Sequence, residues 1–127
     1  MWITKALTIP LVLIILGLWS SPGFSGEADV VRVKAQPGGD GTWSFSVTVR
    51  HDDDGWEHYA DRWEVLGPEG KVIGTRVLAH PHVGEQPFTR SLSGVEIPGS
   101  VVEVLIRARD TVHGYGGKEA AVRLREK

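Results

Sequence analysis

Apolar and polar residues alternate with a period of two in several short stretches of this 127-residue chain, and this pattern constrains its fold more than any other feature. In the clearest stretch, the residues that alternate with Ser, Thr and Arg are Trp43, Phe45, Val47 and Val49. A period of two places apolar side chains on one face of a β-strand. After the first 25 residues no stretch shows a convincing helical period, so the sequence predicts an all-β domain.

Turn-forming residues divide the chain into about seven such stretches. We predict strands over residues 27–35, 43–50, 63–66, 71–79, 88–92, 101–109 and 120–125. Strands that are apolar on one face must cover these faces with each other, which two packed sheets do. The predicted fold is therefore a single β-sandwich of about seven strands.

The first 25 residues have the composition of a secretory signal peptide. One lysine precedes an apolar run from Ala6 to Leu18, and small residues follow it up to Ser25. We predict cleavage after Ser25, which gives a signal peptide at 1–25, a domain at 26–127 and a secreted or periplasmic protein. The apolar run is shorter than the roughly 20 residues that span a bilayer, so no membrane span is expected in the mature form. Retention of the segment as an uncleaved tether is the alternative.

Composition excludes several classes of protein. The sequence contains no Cys and its only Met is Met1, which excludes a disulfide scaffold, a Cys-linked lipid anchor and a sulfur metal ligand in the mature protein. Its formal net charge of −2 gives no reason to expect nucleic acid or an anionic lipid surface as a partner. A chain of this length forms one domain that packing alone must stabilise.

The stretch VEVLIRARDTVHGYGGKEAAVRLR near the C-terminus resembles the closing hairpin of fibronectin type III domains. It has an alternating strand that ends in Arg-Ala-Arg, a Gly-rich loop and a second alternating strand. Trp43 in the second predicted strand also fits that family. The immunoglobulin cysteine pair and a corner tyrosine in the sixth strand are missing. The resemblance therefore implies an immunoglobulin-like architecture and no particular activity.

Histidines are confined to one set of predicted loops. In an up-and-down chain, successive connections alternate between the two ends of the domain. One end receives residues 51–60, 80–87 and 110–118, and the other receives residues 36–41, 67–70 and 94–100. The first set contains all five histidines, and the second contains neither histidine nor an aromatic residue. Loops carried by a rigid scaffold commonly bind ligands, so the first end is a candidate site.

The segment His80-Pro81-His82 is the centre of a predicted metal site. Pro81 disfavours the helical conformation of the preceding residue, so both imidazoles should lie on one side of an extended segment. His113, with His51 or His58, would complete three or four nitrogen ligands. Imidazole suits Zn, Cu(II) and Ni, and nearby aspartates could orient the rings. In the structural alternative, His80 caps the fourth strand and His82 packs on Phe88.

Five further residues at this end are candidate contacts for a ligand or partner: Asp53, Trp56, Tyr59, Glu85 and Tyr115. The aromatic residues could stack on a sugar or a partner, or they could plug the open end of the sandwich. The run Asp52-Asp53-Asp54-Gly55 offers carboxylates for calcium, but its spacing differs from an EF-hand loop and favours a turn.

Sequence motifs of catalysis are missing. The chain has no Gly-x-Ser-x-Gly elbow, phosphate loop or His-Glu-x-x-His motif, and the predicted domain has little wall for a substrate cleft. We therefore expect a binding module and not an enzyme. The predicted function is an exported β-sandwich that binds Zn, Cu(II) or Ni at its histidine-rich end. The alternative is a metal-free adhesion or accessory module that recognises an exported protein or a glycan through the same loops.

Overall fold

A computed structural model of the protein describes residues 26–126. The predicted signal peptide, residues 1–25, lies outside the described residues. Within that range the chain forms β1 (Asp29–Pro37), β2 (Thr42–Arg50), β3 (Ala60–Leu66), β4 (Val72–Val77), β5 (Phe88–Glu96), β6 (Glu103–Asp110) and β7 (Ala120–Arg123). The described part has one 3-10 turn, Pro68–Gly70, and no helix long and apolar enough to cross a membrane. The all-β prediction is confirmed.

The strands form two antiparallel sheets. One has the order β1-β2-β5 and the other has the order β4-β3-β6-β7. Strand β2 is central to the first sheet, and β3 and β6 are central to the second. The predicted pair of packed sheets is therefore present.

Alternation along the central strands builds the core between the sheets. The inward residues of β2 are buried. The inward residues of β6 pack against them, and these are Val104, Ile106 and Ala108. Trp63 of β3 is completely buried in the same cluster. Burial of such side chains supplies most of the free energy that favours folding.

Charged residues cover the outer face of the four-stranded sheet. Nε of Arg107 on β6 lies 2.9 Å from Oε1 of Glu64 on β3, and these two residues are cross-strand partners. Arg109 makes a similar contact with Asp61 at 2.7 Å. Polar residues facing outward and apolar residues facing inward explain the period of two in these strands.

The six connections meet in two groups of three. The histidine pole consists of residues 51–59, 78–87 and 111–119, where the amide of Thr111 donates to the carbonyl of Tyr59 at 3.0 Å. At the opposite pole, residues of all three loops line an open cleft of about 880 Å³. The arrangement matches the one predicted by counting strands, and all five histidines lie at the histidine pole.

At the ends of β2 and β6, the alternation of inward-facing side chains continues past the last apolar residues of the core. His51 follows β2 on the face of Val49, and Asp110 ends β6 on the face of Ala108. Both are buried. Two polar residues thus occupy core-facing positions at the end of the sandwich that carries the histidine pole.

Candidate metal centre

The carboxylate of Asp110 lies at the centre of three imidazoles. Its Oδ2 atom is 3.2 Å from Nε2 of His51, 3.6 Å from Nε2 of His58 and 3.2 Å from Nδ1 of His113. These residues come from the end of β6 and from two loops of the histidine pole. The fold therefore brings together three of the five predicted histidines around a carboxylate.

The spacing of these donor atoms is close to that of a metal coordination shell. One ligand atom from each of His51, His58 and Asp110 lies within 4.8 Å of the others. Two ligands about 2.1 Å from a tetrahedral metal ion are separated by about 3.4 Å. The rings of His51 and His58 meet edge to face, with centroids 4.8 Å apart. This buried cluster could hold a metal ion.

Asp110 is held in its ionised form. Burial raises the pKa of its carboxyl, but hydrogen bonds from the amides of His113 and Val112 and from the His113 ring outweigh this effect, so the pKa is below its usual value. The two amides lie 2.5 and 2.8 Å from Oδ1. The same carboxylate raises the pKa of His113 by hydrogen bonding and by charge.

A second buried carboxylate, Asp53, orients the ring of His51. Its Oδ1 atom lies 2.5 Å from Nδ1 of His51 and accepts the amide of Ala60 at 2.9 Å, while Oδ2 accepts the amide of His82 at 2.7 Å. A carboxylate that binds one nitrogen of a histidine leaves the other directed at a metal. Here Nε2 of His51 faces Asp110.

His58 supplies a nitrogen without a hydrogen-bond partner. Its Nε2 atom is buried and points towards Asp110 at a distance of 3.6 Å, too far for a hydrogen bond. Buried polar atoms are rarely left without a partner. This unpartnered nitrogen is therefore a candidate ligand atom for a metal ion in the cluster.

His80 and His82 form a separate pair. Their ring centroids are 4.7 Å apart, and the ring of His82 stacks on Phe88 at 4.0 Å. His80 is exposed, and its Nδ1 lies 3.0 Å from the carbonyl oxygen of Pro81. His82 is buried, and burial lowers its pKa, helped by the positive charges of Arg90 and His80. The structure thus divides the five predicted ligands into two groups, and His82 makes the contact with Phe88 expected in the structural alternative.

The aromatic candidates have different environments. Trp56 is 66% exposed and meets Tyr59 edge to face at 5.5 Å. Tyr115 is half-buried, and the guanidinium of Arg107 lies 3.7 Å from the centre of its ring. Trp56 is therefore available to a partner and does not plug the end of the sandwich.

The acidic candidates also separate. Glu85 is exposed and pairs with Arg90 at 3.3 Å. In the aspartate run, the amide of Asp54 donates to the carbonyl of His58, and Gly55 has a φ of 95°. These features are those of a turn, and only Asp53 of this run is buried.

Two parts of the site were not predicted as candidates. Asp110 could have been found, because the inward alternation of β6 predicts a buried side chain at its position. Gly26 could not have been found from any local pattern. Its carbonyl oxygen lies 2.9 Å from Nε2 of His51, a residue 25 positions away in the sequence.

Comparisons with known proteins identify a relative and a shared fold. No protein-family model matches the chain. A protein of Halomicrobium mukohataei named "Putative lipoprotein" is 45% identical over 96 residues, which are 76% of this chain and 47% of the relative. The chain thus spans about half the length of that relative.

Two solved structures share the fold. Hypothetical protein PH1083 from Pyrococcus horikoshii OT3 is 14% identical with a TM-score of 0.53, over 83% of this chain and 95% of that chain. A superoxide reductase in the oxidised state is 15% identical with a TM-score of 0.51, over 84% of this chain and 94% of that one. At such identity the likeness concerns the fold alone.

The prediction that this chain is not an enzyme is wrong in its reasoning, because a protein with the same fold is a reductase. The prediction relied on missing hydrolase motifs and on the lack of a deep cleft. A fold that presents loops at one end can support different chemistries by varying those loops. Small size and missing motifs therefore do not exclude catalysis in this architecture.

Proposed function

We propose that the histidine pole binds a divalent transition metal through His51, His58 and Asp110, with His113 completing the shell. One observation carries this proposal: a buried carboxylate oxygen lies within 3.6 Å of three imidazole nitrogens. A bound metal would supply Lewis acidity or a redox-active centre at a pole that solvent reaches through His113, whose side chain is 39% exposed.

The donor set indicates the class of metal. Three nitrogens and one carboxylate oxygen without sulfur suit Zn, Cu(II) and Ni, and disfavour Cu(I). Asp53 supports the same proposal, since it directs Nε2 of His51 into the cluster. His80 and His82 lie outside this shell, with Asp53 between His82 and His51.

Calorimetric titration of the metal-free protein with Zn, Cu(II) and Ni tests the proposal. We expect one site, weakened on the order of 10–100-fold or more by Asp110→Asn or His58→Ala. The matched control is His80→Ala, which removes an exposed imidazole from the same pole and should leave the affinity unchanged. Equal affinities for all the variants, or no binding tighter than a nonspecific background, would contradict the proposal.

A metal-dependent redox activity is a second candidate function. It is favoured by the shared fold with a superoxide reductase and by the solvent access of His113. The test is the rate at which the iron-loaded or copper-loaded protein consumes superoxide, compared with the same metal bound to Asp110→Asn. Rates no greater than that of the free metal ion would exclude this activity.

Export and an immunoglobulin-like architecture also belong to this proposal. The N-terminal composition and the lipoprotein name of the Halomicrobium mukohataei relative support export. The division into sheets of three and four antiparallel strands supports an immunoglobulin-like, fibronectin type III-like sandwich. Mass spectrometry of the protein recovered from outside the cytoplasm tests cleavage after Ser25.

Recognition of an exported protein or a glycan is a further candidate for the same pole. Each of its three loops exposes one large apolar side chain, Trp56 at 66%, Val83 at 63% and Val112 at 58%. Exposed aromatic residues are frequent anchors of binding surfaces. Screening glycans and extracellular proteins against the wild type and Trp56→Ala, with Val72→Ala as a control away from the pole, tests this role.

A further inference from the structure

Gly26, the first residue that the structure describes, lies beside two histidines of the candidate metal centre. The carbonyl oxygen of Gly26 lies 2.9 Å from Nε2 of His51, which is the nitrogen that faces Asp110. A Cβ atom at Gly26 would lie 2.7 Å from Nε2 and 2.9 Å from Nδ1 of His113. Residue 26 therefore lies between two of the histidines, and only glycine fits there without moving the ring of His113.

The residues that follow hold Gly26 in this place. Ala28 and Val30 are buried in the core. The amide of Val30 donates to the carbonyl of Lys118 at 2.9 Å, and the amide of Lys118 donates to Oδ1 of Asp29 at 2.8 Å. Contacts on its C-terminal side therefore help to fix the position of Gly26.

The predicted cleavage point lies directly before Gly26. Hydrolysis of the Ser25–Gly26 bond by water, catalysed by a signal peptidase, would leave a carboxylate on Ser25 and an amine on Gly26. The nitrogen of a residue lies at most about 3.6 Å from its own carbonyl oxygen. The new amine would therefore form beside an oxygen that already contacts His51.

We propose that the α-amino nitrogen of Gly26 becomes a ligand of the metal when the chain is cleaved after Ser25. This inference rests on the proposed metal site and on the predicted cleavage point. The lone pair of an amide nitrogen is delocalised into the peptide bond, so the uncleaved chain offers a poor donor. A free amine keeps its lone pair on nitrogen and can donate it to a metal ion when the proton is displaced.

The consequence is a metal site that gains a further ligand on export. The precursor would have His51, His58, His113 and Asp110 but not the amine, so it would hold the metal more weakly than the processed protein. Metal loading would then occur after cleavage, outside the cytoplasm. The same reasoning explains a glycine at position 26, because a side chain there would displace the ring of His113.

Two forms of the exported protein test the inference. The first is the wild type recovered after processing, with Gly26 verified as the N-terminus by mass spectrometry. The second carries Glu-Ala inserted between Ser25 and Gly26, so that the nitrogen of Gly26 remains in a peptide bond. Both are titrated with Zn, Cu(II) and Ni by calorimetry, and their Cu(II) EPR spectra are recorded. Thermal unfolding of the metal-free forms checks that the insertion leaves the fold intact.

We expect the free Gly26 amine to tighten binding by at least about 10-fold, because the loss of even an outer-shell partner of a ligand typically costs about 10–100-fold in metal affinity. The Cu(II) spectrum of the inserted form should show one nitrogen ligand fewer. Equal affinities and equal spectra, or a mature N-terminus other than Gly26, would overturn this inference and leave the proposed metal site standing. No binding by either form would overturn the proposed metal site itself.

Discussion

Nδ1 of His51 lies 2.5 Å from Oδ1 of Asp53, and both side chains are buried within the histidine pole. The same aspartate accepts hydrogen bonds from the amides of Ala60 and His82. One carboxylate therefore connects the candidate metal centre, the first residue of β3 and the loop that carries the second pair of histidines. This connection makes Asp53 a structural residue as well as a positioning residue.

Replacing Asp53 with alanine should destabilise the metal-free protein by about 3 kcal/mol or more, because three buried donors lose their acceptor. The measurement is urea unfolding in the presence of a chelator. The matched control is Asp52→Ala, since Asp52 is the exposed neighbour and its loss should cost no more than about 0.5 kcal/mol. Similar free energies of unfolding for the two variants would show that the Asp53 contacts contribute little to stability.

The variant Asp53→Asn separates the positioning of His51 from stability. It keeps the shape of the side chain but weakens the hydrogen bond that directs Nε2 of His51 at the cluster. We expect Zn affinity to fall on the order of 10–100-fold. The control Glu85→Gln changes an exposed carboxylate of the same pole and should bind Zn like the wild type. An unchanged affinity of Asp53→Asn would mean that the ring of His51 is oriented by other contacts.

Sequence periodicity predicts the strands because it follows directly from burial. Trp43, Phe45 and Val47 of β2 alternate in the sequence for the same reason that they face the core in the structure. Counting strands then places the loops correctly, since each antiparallel strand reverses the direction of the chain. The predicted third strand began at Trp63, whereas β3 begins at Ala60, because the residues between them alternate less clearly.

The composition of the candidate site is harder to predict because it depends on side-chain direction within loops. The rings of His80 and His82 do lie near each other, but the stacking of His82 on Phe88 makes this pair a separate group. The group around Asp110 instead combines residues more than 50 positions apart. The buried carboxylate of Asp110 was predictable from the alternation of β6. The contact between His51 and Gly26 was not.

The stability of the metal-free protein should fall below neutral pH partly because of His82. Burial lowers its pKa below 6.5, with further lowering by Arg90 and His80 that Glu85 and Asp53 oppose. As the pH falls through 6.5, the unfolded chain takes up a proton that the folded chain does not, so the folded state loses stability until the pH reaches the lowered pKa.

The variant His82→Phe isolates this contribution, since a phenyl ring can stack on Phe88 without titrating. We expect its urea midpoint to fall less than that of the wild type between about pH 7.5 and about pH 5. The wild type is needed as the reference because the raised pKa of His113 acts in the opposite direction. The stability that His113 contributes is present below pH 6.5 and is lost as the pH rises through its folded-state pKa. Parallel pH profiles of the two proteins would show that the His82 ring titrates normally.

Substitution of Gly117 tests how the segment before β1 is held in place. A Cβ atom at this position would overlap the carbonyl oxygen of Ala28 and lie 2.7 Å from Oδ1 of Asp29. Gly117→Ala should therefore destabilise the protein by about 1–3 kcal/mol, measured by thermal unfolding of the metal-free form. Gly84→Ala is the matched control, because its Cβ would meet open space and the change should be neutral or stabilising by up to about 1 kcal/mol.

Gly117→Ala should also weaken metal binding. The added Cβ would displace Ala28 and Asp29, and Ala28 is only two positions after Gly26. The carbonyl of Gly26 contacts His51, so a shift of this segment separates it from the cluster. We expect lower Zn affinity for Gly117→Ala and wild-type affinity for Gly84→Ala, measured below the unfolding temperature of both. A destabilised Gly117→Ala protein that binds Zn like the wild type would show that the segment before β1 stabilises the fold but takes no part in holding the metal.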